Sequence, residues 1–174
     1  RLKNNLIAGY NLSCIGDERD HSCILSRYGD TLADKSLIKA YKLLKIKYSV
    51  HSYLKRVADQ RQYCSPQVNL PIASIFRSKH GEYPEYHTSL DDFNLVTEKG
   101  IKGGFDVSKK CIEILHIKKN KLGLTDVQKK SLENYYKRIR IIDIINEIID
   151  HKELSFVNCV NIIEEYFKLK YKDS

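Results

Sequence analysis

Three short apolar runs in the first 76 residues, with one amphipathic stretch between the first two, constrain the fold of this chain most tightly. Leu6–Ile15 (LIAGYNLSCI) is apolar, carries β-branched and aromatic members, and is closed by Gly16-Asp17, the pattern of a buried strand. Leu32, Leu37, Ile38, Tyr41 and Leu44 then recur at helical spacing, and Thr31 with Asp34 three residues on forms a capping-box-like start. Ile46–Leu54 (IKYSVHSYL) alternates as a second strand would. After a polar stretch from Arg56 to Asn69, Leu70–Phe76 (LPIASIF) reads as a third strand. Strand, helix, strand, loop, strand specifies an α/β layer fold.

Ser78–Asp92 reads as a loop dense in Gly, Pro, Tyr, Glu and His, and Leu95–Leu115 as a long helix interrupted at Gly103-Gly104. The run Lys118–Lys121 is the candidate linker, dividing residues 1–117 from a helical module at 118–174. In that module Thr125–Ile149 and Ser155–Leu169 carry apolar residues at helical spacing.

The formal charge of +8 is compatible with nucleic acid or an anionic surface. Lys129, Lys130, Lys137, Arg138 and Arg140 could form a basic stripe. Aromatic residues do not interleave with it as base-stacking proteins require, so packing of the module on the first domain is preferred to a nucleic-acid role. No run approaches the roughly 18 apolar residues of a membrane span, and no signal-peptide pattern is present. Five scattered cysteines without a Cys-x-x-Cys pair argue against a zinc ribbon or a disulfide framework and point to reduced thiols in a cytoplasm. The absence of methionine, even at position 1, reads as a processed product, a fragment or a sequence from which some residues are left out.

Polar chemistry concentrates in two loops, Ala58–Pro66 and Gly81–Ser89, each flanking an expected strand, where α/β folds place their ligands. His87, with Asp91 four residues on, is the sharpest single candidate, since imidazole is a common metal ligand. His21, inside Asp17–His21, reads as an exposed turn. His51, His80, His116 and His151 read as structural or surface residues, and Cys64 lacks a partnered His. Gly100–Gly104 lacks the Lys-Ser/Thr ending of a phosphate loop.

Tyr10–Asp17 (YNLSCIGD), Arg27–Asp30 (RYGD), Asp59–Pro66 (DQRQYCSP), Asn69–Pro71 (NLP) and above all Arg77–Asp91 (RSKHGEYPEYHTSLD) carry a resemblance. Over residues 4–115 the chain resembles aminopeptidase-like proteins of bacterial polysaccharide-biosynthesis loci, a branch of the zinc-dependent aminopeptidase superfamily. The resemblance implies the C-terminal part of a three-layer α/β peptidase fold, followed by a small winged-helix-like module. It implies a binuclear zinc site in which a metal-activated water hydrolyses a peptide or amide, with a Glu as general base. By the same resemblance His87 and Asp17 would be metal ligands, Asp91 would support or cap behind His87, and Arg61 and Tyr63 would bind substrate. The substrate would be a peptide or an amino-acyl small molecule, and self-association is left open.

The resemblance also exposes gaps. The remaining ligands and the general base are expected upstream of residue 1, and a catalytic zinc needs about three protein ligands. Gln60 stands where a Glu is expected, and its neutral amide is neither base nor anionic ligand. The expectation is therefore a portion of a zinc-dependent hydrolase, inactive as an isolated segment. The alternatives are a degenerate ligand-binding member and a nucleic-acid adaptor acting through the C-terminal module.

Overall fold

Thr31 starts the best-specified element. In the computed structural model, which describes residues 2–56, 59–118, 123–134 and 136–138, its side chain and that of Asp34 exchange the reciprocal bonds of a capping box. The helix that follows, α2 (Leu32–Leu43), turns Ala33, Leu37, Ala40 and Tyr41 inward at i, i+4, i+7 and i+8. A short α1 (Leu2–Asn5) precedes it, and α3 (Gln60–Tyr63) and α4 (Glu98–Lys118) follow.

The strands are β1 (Gly9–Leu12), β2 (Ser22–Ile24), β3 (Ser49–His51) and β4 (Ile72–Phe76), in the order β1-β4-β2-β3. β1 runs parallel to β4 with Gly9 opposite Ile72, β4 pairs antiparallel with β2, and β2 runs parallel to β3. All five residues of β4 are buried, as expected of a central strand covered on both faces. Its alternate residues enter different clusters. Ala73 and Ile75 join Cys23, Leu37, Tyr41, Val107 and Cys111, whereas Ile72 packs with Cys64 and Leu70. The chain is thus α/β around a mixed sheet.

Three local expectations need correction. The strand β2 was not expected, because three residues behind a charged run are too few to show a period of two. Its neighbour His21 is not an exposed turn: the ring is half-buried, meets Tyr41 edge-on, and its Nδ1 is buried. The long helix is continuous through Gly103-Gly104. Gly100 and Gly104 serve packing instead. A Cβ on Gly100 would lie 1.8 Å from Gly16 O, and one on Gly104 would lie 2.9 Å from Ile15 Cβ. Glycine lets α4 press onto the segment leaving β1.

The chain divides into two compact units, residues 1–132 and 133–174. Leu124 and Leu132 belong to the first, where they pack with Leu115. Residues 126–134 and 136–138 are helical, whereas the rest of the helical spacing expected at Thr125–Ile149, all of that expected at Ser155–Leu169, the winged-helix expectation and Arg140 lie outside the described residues.

Candidate functional site

β1 and β4 end side by side, and the segments that leave them are tied together by Arg77, Ser78 and Asp17. The Arg77 amide donates to Cys14 O (2.9 Å), and its Nε donates to Asp17 O (2.8 Å). The Asp17 carboxylate, only 5% exposed, accepts from the Ser78 amide (2.9 Å), the Ser78 hydroxyl (2.6 Å), and the amide and Nε of Arg19 (both 3.2 Å). Burial pushes its pKa up, but the Ser78 and Arg19 hydrogen bonds outweigh burial and the net shift is downward. Asp17 is ionised at neutral pH and its oxygens are engaged.

Arg19 then reaches across to the Gly81–Ser89 loop, where Nη1 meets both Glu85 oxygens at 3.2 and 3.3 Å. Glu18 turns the other way, accepting from Thr97 Oγ1 (2.6 Å) and Lys99 Nζ (2.7 Å) at the start of α4. These two partners lower its pKa. Between these contacts lies an open groove of about 520 Å³, lined by Asp17, Glu18, Arg19, Glu85, Asp92 and Thr97 among others. Four carboxylates against one guanidinium make its lining acidic, so it suits a cationic or amine-bearing ligand. It sits beyond the carboxyl ends of β1 and β4, where ligands of α/β sheets bind.

Beneath it, His21 Nε2 faces Arg77 Nη1 in a close contact. Burial, then the guanidinium charge, lowers the His21 pKa to about 4, so the ring is neutral and accepts from Arg77. A Cβ on Gly103 would lie 2.5 Å from Arg77 Nη1 and 3.2 Å from His21 Cε1, so α4 leaves room there for the pair.

Of the residues singled out from sequence, only Asp17 lines the groove. His87 is exposed, has φ of 60° and stacks on Tyr86 with ring centroids 4.0 Å apart. Asp91 is exposed and its amide donates to Thr88 O. Arg61 and Tyr63 are exposed on α3, and Gln60 beside them is buried, its amide 3.5 Å from Ile24 O. The described residues bring together no three His, Cys, Asp or Glu side chains able to hold a metal ion. Asp17, whose oxygens already accept four hydrogen bonds, does not fit a zinc site as it stands.

Sequence reasoning missed Arg19 and Glu85 as partners. Both lie within stretches the sequence flagged, but 66 positions separate them, and the pairing of β4 with both β1 and β2 brings their flanking segments together.

The chain is similar to a Clostridium acetobutylicum protein whose name assigns it to polysaccharide biosynthesis with an aminopeptidase-like domain, at 29% identity over 120 residues. The match covers 69% of this chain and 26% of that protein. A solved structure from Clostridium acetobutylicum, of a protein assigned as a peptidase, superimposes with a TM-score of 0.61 at 27% identity, covering 64% of this chain and 26% of that one. The chain thus spans about a quarter of the length of these relatives. Residues 1–118 match the family described as Domain of unknown function (DUF4910), and the chain belongs to that family.

Proposed function

We propose that the chain is a portion of an aminopeptidase-like hydrolase fold, acting on a peptide or amino-acyl substrate, and that its described residues supply the substrate groove rather than a metal centre. The observation that carries this reading is the acidic groove lined by the Asp17–Arg19–Glu85 relay at the ends of β1 and β4. The relatives' names, with an aminopeptidase-like domain and a peptidase, support peptide hydrolysis as the reaction class. In this reading Glu85 and Asp92 attract the amino group of the substrate, and Arg19, fixed by Asp17, holds Glu85 in place. Zinc remains the expected cofactor of the class, and the donors described here are too few to hold it. A ligand-binding role without catalysis is the second reading, favoured by the buried Gln60 amide.

Calorimetry of the 174-residue chain with zinc alone, and then with a dipeptide, tests the proposal. Dipeptide binding weakened about fivefold by Glu85→Gln, without stoichiometric zinc or hydrolysis of amino-acyl anilides, is the expected result. Absence of dipeptide binding overturns the groove. One zinc per chain together with hydrolysis overturns the claim that the described residues hold no centre.

A further inference from the structure

A second cluster of charge lies outside the groove, around Glu82. The Glu82 amide donates to Lys79 O (3.1 Å), and Gly81, with φ of 75°, supplies the left-handed corner of that turn. Two ammonium groups and one imidazole face the one carboxylate oxygen Oε1: Lys55 Nζ at 3.5 Å, Lys79 Nζ at 3.8 Å and His51 Nδ1 at 3.4 Å. All three distances exceed those of a close charge-assisted hydrogen bond.

Lys79 is 7% exposed and its nearest acceptor is the neutral carbonyl of His80, at 2.7 Å. His80 is also 7% exposed, with its ring against Phe76 and Tyr86. Its Nε2 is buried without a hydrogen-bond partner among the described residues. An ammonium buried so far from its counter-charge is costly, and an orphaned ring nitrogen adds to the cost. An ion pair built for stability would close these gaps. Two ammonium groups and one imidazole instead share a single half-exposed carboxylate carried on a turn.

We propose that His51, Lys55 and Lys79 form a phosphate-binding site in which Glu82 is the built-in, displaceable occupant. Phosphate fits better than a second carboxylate for two reasons. Its oxygens can accept from several separate point donors, and its second charge offsets the positive excess that Glu82 alone leaves. Among the described residues no arginine, whose fork favours planar bidentate partners, pairs with Glu82. The phosphate could belong to a phosphorylated small molecule or be free. This site does not depend on the hydrolase reading.

Titration calorimetry of the full chain at low ionic strength, with inorganic phosphate, glycerol 3-phosphate and acetate, tests it. Glu82→Gln removes the competing carboxylate and is expected to tighten phosphate binding about tenfold. Adding Lys55→Ala, at a side chain 60% exposed, is expected to reverse the gain. Tighter binding of the monoester than of phosphate supports a phosphorylated ligand, and equal binding supports free phosphate. A folded Glu82→Gln chain that binds phosphate no better than the native chain overturns the proposal, as does an equal gain for acetate. If Glu82→Gln fails to fold, His51→Gln and Lys55→Ala in the native chain must each weaken phosphate binding, and no change in either overturns it.

Discussion

His21 and Asp17 sit four positions apart and both are held in the form that favours the fold at neutral pH, yet they respond to acid in different windows. His21 has its pKa lowered to about 4, so the unfolded chain binds a proton near pH 6.5 that the folded chain refuses. Its contribution is therefore complete above pH 6.5 and is lost as pH falls toward 4. Asp17 is also lowered, but from the carboxylate range, so its contribution is complete above about pH 4 and is lost below that. Urea unfolding at a series of pH values separates the two. His21→Gln is expected to flatten the slope between pH 6.5 and 4, and Asp17→Asn to flatten it below pH 4. An unchanged slope in His21→Gln would refute the buried neutral pairing with Arg77. Asp34 acts at the same scale through hydrogen bonds. Its carboxylate, 1% exposed, accepts from the amide and hydroxyl of Ser26 (2.7 and 2.5 Å) and of Thr31 (2.9 and 2.7 Å). Asp34→Ala strands those donors and is expected to cost about 3 kcal/mol in the same assay.

At the scale of elements, α4 shows why part of the fold was legible and part was not. The β4 run and the Thr31–Asp34 box announce themselves, because the apolar pattern and the cap are local properties of the sequence. The glycines of α4 are not local. By propensity alone Gly100→Ala would stabilise a helix by about 1 kcal/mol. Here the new Cβ meets Gly16 O at 1.8 Å and Asp17 O at 2.7 Å, both backbone atoms that cannot turn aside. Overpacking wins, and Gly100→Ala is expected to destabilise the chain by about 3 kcal/mol and to separate Thr97 and Lys99 from Glu18. A thermal melt that rises in this variant would contradict the contact. The same logic explains the site. Asp17 was legible as the polar residue closing a strand, whereas the Arg19–Glu85 bridge depends on the long-range pairing of β4 with β1 and β2, which no window of sequence displays.

At the scale of the molecule, the family match ends at residue 118 while the first compact unit continues to Leu132. The difference is physical. Leu124 and Leu132, 8% and 5% exposed, close a cluster with Leu115 against which Ile7, Tyr10, Leu32 and Ile112 also pack. Those four residues come from the start of the chain, β1, α2 and α4, so Leu124 and Leu132 cover a seam shared by β1, α2 and α4. Burying two leucines contributes about 3–5 kcal/mol, a large share of the stability of an ordinary domain. A chain ended after Lys118 should therefore unfold about 3–5 kcal/mol more easily than one ended after Leu132. It should also bind a hydrophobic dye at the uncovered face of Leu115 and Ile112. Urea titrations of the two truncated chains decide the matter. Equal midpoints would mean that the seam contributes nothing and that the unit closes where the family match does. A lower midpoint restored by the 14 residues from 119 to 132 would make that segment part of the domain it covers.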